Sequence, residues 1–580
     1  MRRRSTGPNK FLASNISRSC SWRAAILPAA LIVASIAPGA LGAQGVAARE
    51  AVAAGEVPHL EKNGNATQLI VDGKPFLVFG GEVRNSASSS VDYMKPIWPK
   101  LAAMHLNTVL TPVTWQQIEP EEGKFDFTVL DGLLRDARSN NLRLGLLWFG
   151  SWKNGVSSYS PLWVRKDPAR FPLVQNSSGQ FLGVLSTFSE SNRDADARAF
   201  AALLHHLREV DSDQHTVLFL QVENEVGVIS DSRDHCAAAE HAFAQPVPTE
   251  LMDYLTAHKN SLLPEFRRVW DDAGAKSSGT WQEVFGIGPA TDEIFMAWSY
   301  ARYVDRVAAA GKAELPLPMF INTALVKPQD KVPGDYPSGG AVAQVHDVWQ
   351  AAAPHIDILA PDIYFPDFPG LLARYSRNDN PPFVPEAVGG PAGVANVFYG
   401  AGFGSIGYSP YAIEDQDDPD GPIAKAYGFL SELAPMILEH QASATIAGVW
   451  LSADRPTQDV ALGGYTLHFA LRVTRKSTVL PDRGYGIAFA TGPDEFVVAG
   501  TDIQMTFTPN TPGPPVVSLA KVEEGTFRQG QWIAGRWLNG DDTQLLYDLS
   551  SLASQNLSGE GVSFPAGDAT IRRVQLYRYP

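Results

Sequence analysis

Two segments of this 580-residue chain end an apolar run in a carboxylate. Residues 217–222 lead through one further glutamate into Asn224-Glu225, and residues 382–385 lead directly into Glu386. Parallel strands present functional groups at their carboxyl ends, so Glu225 and Glu386 are expected at one edge of a sheet. Two carboxyl groups, one protonated and one ionised, are what hydrolysis of a glycosidic bond requires.

Each of these glutamates has a simpler interpretation when it is taken alone. A glutamate at the end of a strand is more often a loop residue or an ion-pair partner than a catalytic group. Whether the two glutamates form a catalytic pair therefore depends on the order of the strands along the chain.

A repeating pattern of apolar strand, loop and amphipathic helix runs from about residue 57 to 440. The eight predicted strands lie at 76–80, 108–110, 142–147, 217–222, 319–322, 356–360, 382–386 and 403–408. A helix is predicted over 94–104, and a long insertion over 228–318 follows the fourth strand. This pattern predicts a (β/α)8 TIM barrel with Glu225 on its fourth strand and Glu386 on its seventh. A doubly wound sheet is the rival fold, but Gly80-Gly81-Glu82 is not the glycine-rich phosphate loop that such folds carry.

The pattern changes near residue 441. Short apolar segments bounded by Gly, Pro and Asp follow one another without intervening helices, the sixth of them at 545–547. Residues 441–580 are therefore predicted to form an all-β, sandwich-like C-terminal domain.

The first 43 residues resemble a signal peptide. A basic region precedes an apolar stretch at 24–37, and small residues follow at 40–43. The apolar stretch is short and interrupted by Pro28 and Pro38, so no permanent membrane span is expected. We therefore expect an exported protein, periplasmic or extracellular.

The acidic charge balance argues against nucleic acid as a partner. The net charge is −15, and removal of residues 1–43 with their six basic side chains lowers it to −21. Binding to nucleic acid is not expected for so acidic a protein. After cleavage Cys236 is the one remaining cysteine, and no cluster of residues has metal-ligand spacing, so neither a metal nor another cofactor is expected.

One block of sequence makes a family resemblance specific. Residues 114–127 read Thr-Trp-Gln-Gln-Ile-Glu-Pro-Glu-Glu-Gly-Lys-Phe-Asp-Phe. This block resembles the Trp…Glu-Pro…Gly-x-Phe-Asp-Phe signature of glycoside hydrolase family 35 β-galactosidases and their family 42 relatives. Residues 383–387 look like the nucleophile strand of that family. The resemblance covers about residues 60–440, and the all-β tail is similar to the extra C-terminal domain of a bacterial branch of family 35.

The resemblance implies roles for several residues. Glu225 would be the general acid/base and Glu386 the nucleophile of a retaining mechanism. Asn224 would hydrogen-bond the sugar 2-hydroxyl, a contact that strengthens in the transition state. Glu119 would either accept hydrogen bonds from the sugar or brace the loop after the second strand, and Glu223 is expected to be structural.

The sequence departs from the family pattern after the third strand. Many members carry Ala-Glu-Trp there, and the glutamate grips galactose, whereas this chain has Gly150-Ser151-Trp152. Glu82, Lys153 and Asn154 are the candidates to replace that contact. The other predicted substrate-binding residues are Trp115, Trp148, Trp152, Asn322 and Tyr364. Trp148 and Trp152 are interpreted either as a platform beneath the sugar or as packing at the barrel rim.

The sequence thus predicts an exported retaining exo-β-galactosidase, whose partner is a galactose-containing oligo- or polysaccharide. Two alternatives stay open. One is a retaining glycosidase of the same clan specific for another β-linked sugar. The other is a carbohydrate-binding protein without catalytic activity.

Overall fold

An eight-stranded parallel sheet is the central element of the computed structural model, which describes residues 56–377, 379–473, 480–545 and 559–580. In chain order its strands are Val78–Glu82, Thr108–Thr114, Arg143–Lys153, Val217–Asn224, Met319–Ala324, Ile358–Asp362, Val384–Ala387 and Gly407–Pro410. Neighbours pair in parallel in the order six, five, four, three, two, one, eight, seven. The register between the second and third strands sets Thr111 beside Leu146.

The sheet closes on itself between its sixth and seventh strands. There a single parallel bridge joins Ile363 to Ala387, and the Ile363 amide donates to the Glu386 carbonyl oxygen at 2.9 Å. The first strand pairs with the eighth, and the eighth with the seventh. The result is a nearly closed barrel, and the predicted fold class is confirmed.

Helices surround the barrel because most strand-to-strand connections carry one. The α-helices are Val91–Met94, Ile97–Ala103, Trp115–Ile118, Thr128–Ser139, Leu162–Arg165, Glu190–Asp211, Ala237–Phe243, Thr249–Ala257, Pro264–Asp272, Trp281–Phe285, Pro289–Glu314, His346–Ala352, Phe368–Tyr375, Gly390–Phe403, Ile413–Gln416 and Pro422–Ser443. Short 3₁₀ turns occupy Ala87–Ser89, Ala343–Val345 and Gly540–Thr543. No helix among the described residues combines the length and the apolar character that a bilayer crossing requires.

The barrel interior is filled by large apolar side chains. Phe219, Phe320 and Phe383 meet edge to face, with ring centroids 5.3–5.9 Å apart. An antiparallel sheet of His59–Asn63, Ala66–Val71 and Lys74–Phe76 precedes the barrel and adds Leu69 and Val71 to this cluster. The interior is therefore a packed core, and polar groups are left for the ends of the strands.

The C-terminal region consists of two antiparallel sheets. In sheet order, one contains Ile446–Ser452, Arg483–Gly492, Glu495–Thr501, Thr570–Tyr579, Val516–Arg528 and Gln531–Leu538, and the other contains Thr457–Leu462, Tyr465–Leu471, Ile503–Pro509 and Val562–Phe564. Both sheets contribute to one apolar cluster, as Val498 and Leu467 illustrate. Two-stranded sheets pair Leu173–Gln175 with Phe181–Leu185 and Gln544–Leu545 with Gly559–Glu560.

The bounds of most predicted elements differ in the structure, and three of these differences have a clear local cause. The helix predicted over 94–104 is two helices, Val91–Met94 and Ile97–Ala103, which meet at Pro96, a residue without a backbone N–H. The eighth strand begins at Gly407 rather than 403, because Phe403 still ends a helix capped by Gly404 at φ 102°. The first strand begins at Val78 rather than 76, because Phe76 belongs to the preceding antiparallel sheet.

Two sequence-based predictions fall on other parts of the chain. The signal peptide predicted at 1–43 lies outside the described residues. The segment predicted at 545–547 retains Leu545 in a short strand, and its last two residues also lie outside them.

Candidate active site

Glu225 stands just beyond the end of the fourth barrel strand in an unusual backbone conformation. Glu223 and Glu225 have φ angles of 62° and 44°, in the left-handed region that disfavours residues with a Cβ. The Asn322 Oδ1 atom accepts a hydrogen bond from the Glu225 amide at 3.0 Å. The Asn154 Nδ2 atom donates to Glu225 Oε2 at 2.7 Å. The third and fifth strands therefore both help to hold this carboxyl group at the mouth.

Glu386 lies on the seventh strand and is buried. The Tyr364 hydroxyl, on the loop after the sixth strand, donates to Glu386 Oε1 at 2.6 Å. A charge-assisted hydrogen bond of this length fixes the orientation of the carboxylate. The other carboxyl oxygen, Oε2, is buried and has no hydrogen-bond partner among the described residues.

Two further buried carboxyl groups share this mouth. Glu82 ends the first strand and Asp362 ends the sixth. Burial raises the pKa of each carboxyl well above its usual range, and the charge of Glu386 raises it further. Lys153 acts in the opposite direction on the pKa of both groups. Its ammonium lies 5.0 Å from the centroid of the Phe149 ring.

Burial and the same neighbouring charges also shift the pKa of Glu225. Burial raises the pKa of the Glu225 carboxyl, and the charge of Glu386 raises it further, while Lys153 opposes both. A carboxyl group whose pKa is raised keeps its proton at higher pH, as a general acid must. Glu386, by contrast, accepts a hydrogen bond from the Tyr364 hydroxyl. The two carboxyl groups therefore lie in different surroundings.

Several buried polar atoms at the mouth have no hydrogen-bond partner among the described residues. Both side-chain polar atoms of Asn224 are buried and unpaired among the described residues, as are Glu82 Oε1, Asp362 Oδ1 and Glu386 Oε2. Buried polar groups are normally hydrogen-bonded, and each one left unpaired costs about 1–3 kcal/mol. A ligand rich in hydroxyl groups would satisfy them.

Several residues predicted from the sequence join this cluster. Asn224, Glu225 and Glu386 stand at strand ends as expected, and Glu82, Lys153, Asn154, Asn322 and Tyr364 also reach the mouth. Asp362 also lies in this cluster and was not among the site residues predicted from the sequence. Its signal in the sequence is an acidic residue directly after the apolar run 358–361. In the structure, Asn322 Nδ2 donates a hydrogen bond to Asp362 Oδ2 at 2.7 Å.

The structure does not bring Trp148 and Trp152 to the cluster. The Trp148 indole N–H donates to Asp196 on the helix Glu190–Asp211, and the Trp152 indole packs edge to face against Tyr303 on the helix Pro289–Glu314. Both rings are fully buried in the layer between barrel and helices. Of the two interpretations, packing accounts for these contacts, and a sugar platform does not.

Ser151 faces the same helix layer. Its hydroxyl donates to Asp196 Oδ2 at 2.5 Å and lies 2.8 Å from the Tyr303 hydroxyl. The residue in the position of the family glutamate therefore does not point into the mouth.

Trp115 and Glu119 also bond to each other rather than to the cluster. The Trp115 indole N–H donates to Glu119 Oε2 at 2.9 Å, and the Gly123 amide donates to Glu119 Oε1 at 2.7 Å. Glu119 is fully buried and thereby closes the loop after the second strand. These contacts correspond to the bracing role.

Comparison with known proteins agrees with this geometry. A family model described as β-galactosidase, glycoside hydrolase family 42, matches residues 90–277. A second model, a domain of unknown function (DUF5597), matches residues 423–549. Residues 90–277 are thus similar to a β-galactosidase family, and residues 423–549 match a different family. The finer assignment to family 35 is not confirmed, because the matching model is that of family 42.

Individual relatives share shorter stretches. A β-galactosidase of Xanthomonas manihotis is 30% identical over 183 residues, which are 30% of this chain and 27% of the relative. β-Galactosidase 11 of Arabidopsis thaliana is 29% identical over 123 residues, which are 19% and 14% of the two chains. The chain therefore spans less than a third of the length of these relatives. Among solved structures, a β-galactosidase from Bacillus circulans sp. alkalophilus aligns with a TM-score of 0.42 and 14% identity, over 63% of this chain and 57% of the other.

Proposed function

We propose that the protein is an exported retaining exo-β-galactosidase that releases terminal β-D-galactosyl residues from oligo- or polysaccharides. The observation that carries the proposal is the pair Glu225 and Glu386 at the ends of the fourth and seventh strands. The two carboxyl groups act on each other electrostatically, and their hydrogen-bond partners differ.

The proposed reaction is a double displacement. Glu386 attacks the anomeric carbon while Glu225 donates its proton to the departing glycosidic oxygen. Glu225, now ionised, then removes a proton from water, which attacks the anomeric carbon and displaces Glu386. The sugar leaves with its original configuration, and both carboxyl groups return to their starting protonation states.

The sugar-binding part of the proposal rests on the unpaired atoms at the mouth. In this proposal Asn224 hydrogen-bonds the 2-hydroxyl, and the oxygens of Glu82 and Asp362 that have no partner among the described residues accept hydrogen bonds from other hydroxyls. These two carboxyl groups supply acidic contacts that Ser151, turned toward the helices, does not. Galactose itself is supported by the names of the matching family model and relatives, and the exo mode by the family resemblance.

A panel of aryl β-glycosides tests the sugar. The galactoside is expected to be hydrolysed with the highest kcat/KM, and proton NMR of the first product should show the β-anomer. No preference for the galactoside would favour the other clan member, specific for a different β-linked sugar. Absence of turnover on every glycoside, combined with measurable sugar binding, would favour the carbohydrate-binding protein.

Export is supported by the composition of residues 1–43 alone. Expression in a bacterial host followed by fractionation and N-terminal sequencing tests it. A mature N-terminus near residue 44 in the periplasm or medium is expected, and a full-length chain retained in the cytoplasm would contradict export.

Tyr364→Phe is expected to lower kcat/KM by about 10–100-fold, because a hydrogen bond to a charged group contributes about 1.5–3 kcal/mol. The loss should fall mainly on kcat, since Tyr364 orients the nucleophile. Tyr93→Phe is the matched control, because Tyr93 is an exposed tyrosine on a surface helix. Equal activity of both variants would contradict the orienting role.

A further inference from the structure

A second pair of carboxyl groups lies behind Asn224 and Glu225, and the proposed reaction does not use it. Glu223 is on the fourth strand and Asp196 is on the helix Glu190–Asp211. Both side chains are fully buried. Buried carboxyl groups of this kind require partners, so the contacts of each one decide its protonation state.

Asp196 has donors on both of its oxygens. The Trp148 indole N–H donates to Oδ1 at 2.9 Å. The Ser151 amide and hydroxyl donate to Oδ2 at 3.1 and 2.5 Å. Both oxygens of Asp196 are therefore hydrogen-bond acceptors, with three donors between them. The third barrel strand therefore supplies a built site for a carboxylate at position 196.

Glu223 has a donor on one oxygen only. The Trp152 amide donates to Oε2 at 2.7 Å, while Oε1 is buried and has no partner among the described residues. Oε1 faces Asp196 across Gly150. A Cβ added to Gly150 would lie 2.7 Å from both Glu223 Oε1 and Asp196 Oδ1, so the two oxygens border the same small space.

Within the described part of the chain, neither carboxyl group of this pair forms an ion pair with Lys, Arg or His, and no such side chain is among the main influences on the pKa of Glu223. The titratable groups that face it are the hydroxyls of Tyr300 and Tyr303, on which the charges of Asp234 and Arg193 also act. Burial raises the pKa of the Glu223 carboxyl well above its usual range, and the charge of Asp196 raises it further.

We propose that Glu223 and Asp196 share a single proton, held by Glu223, and that this acid–carboxylate pair positions Asn224 and Glu225. Two buried carboxylates cannot both be ionised in so small a space, and one proton turns their repulsion into a hydrogen bond. Glu223 and Glu225 both have left-handed φ angles, which the surroundings must enforce. The Glu223 bond to the Trp152 amide links this strand end to the third strand, where the pairing register shifts between Trp148 and Lys153.

The shared proton predicts that the stability of the folded protein decreases as the pH rises. The pKa of Glu223 is higher in the folded protein than in the unfolded chain. Its contribution to stability is therefore complete at pH values below its pKa in the unfolded chain, and it is lost as the pH rises through its pKa in the folded protein. Above that pH two buried charges oppose each other, and the strand end that carries Asn224 and Glu225 loosens.

Glu223→Gln tests the proton directly. The amide keeps a carbonyl for the Trp152 N–H and an N–H₂ for Asp196, but it has no proton to lose. We expect the melting temperature of this variant to fall less than that of the parent between about pH 5 and pH 9. Its kcat/KM at acidic pH should stay within about threefold of the parent. Glu250→Gln, at an exposed helix position, is the matched control and should follow the parent at every pH.

Two further measurements keep the proposal open to contradiction. The infrared spectrum of the parent should retain, at neutral pH, the C=O band of a buried carboxylic acid that is missing in Glu223→Gln. Absence of that band, or an unchanged pH dependence of the melting temperature, would overturn the shared proton. Glu223→Ala should lower kcat by at least about tenfold, with a smaller change in KM, and the glutamine variant should restore it. Unchanged kcat in the alanine variant would overturn the positioning role.

The role of the pair in positioning Asn224 and Glu225 for catalysis rests on the proposed function. The sharing of a proton between Glu223 and Asp196 does not. If replacing Glu386 leaves turnover intact, the assignment of the reaction fails, but the infrared and melting results still decide whether Glu223 is protonated. If those two results fail while Glu386 proves essential, the proposed function stands without the pair.

Discussion

Glu386→Ala is expected to lower kcat for β-galactosides by at least about 10⁴-fold, the scale on which loss of a covalent nucleophile acts. Glu386 is buried on the seventh strand and oriented by the Tyr364 hydroxyl, and it is the group that attacks the anomeric carbon in the proposed reaction. Steady-state rates on an aryl galactoside measure the loss, and circular dichroism checks that the variant is folded.

Azide separates this result from a simple loss of structure. The cavity left by the shortened side chain admits the small anion, which attacks the anomeric carbon from the side that Glu386 occupied. The expected product is the inverted α-glycosyl azide. Hydrolysis at the parent rate would remove Glu386 as the nucleophile. Glu250→Ala, at an exposed carboxyl group, should behave as the parent.

Glu225→Ala is expected to lower kcat/KM by roughly 10²–10⁴-fold on substrates with a poor leaving group, because these need a proton in the first step. Substrates with an activated aryl leaving group should lose much less in that step and accumulate the glycosyl-enzyme. The alkaline limb of the kcat/KM profile, which reports loss of the raised-pKa proton of Glu225, should also disappear.

The azide product again distinguishes the roles. With Glu225 removed, azide should attack the glycosyl-enzyme formed by Glu386 and give the retained β-glycosyl azide. An α-azide from this variant would exchange the roles of the two glutamates. An equal loss of rate for good and poor leaving groups would contradict a role for Glu225 in proton donation.

The position of the candidate reacting groups could be predicted because strand ends in a barrel follow a simple rule. Asn224 and Glu386 end or follow apolar runs that are buried on both faces, and such runs are visible in the sequence. Counting the strands then placed both residues on the same side of the barrel. Nothing beyond the order of apolar segments and loops was needed for this step.

The direction of the side chains on the third strand could not be predicted in this way. The register shift between Trp148 and Lys153 breaks the alternation of side chains, so Ser151 and Trp152 face the helices although Lys153 reaches the mouth. A bulge has no clear signature in one sequence. The contact between Asp196 and Glu223 was also invisible, because helix and strand positions 27 residues apart meet only through packing.

The closure of the barrel has a consequence for how the protein loses activity. The seam between the sixth and seventh strands is one bridge, and its hydrogen bond ends on the carbonyl oxygen of Glu386 itself. Opening of this seam would displace Glu386, the nucleophile of the proposed reaction, while the remaining strand pairs, the apolar interior and the helix layer stayed intact. Inactivation by mild heat or denaturant therefore has a local route, with a free-energy cost below that of global unfolding. Backbone amide exchange at Ile363 reads out the same event as the catalytic rate.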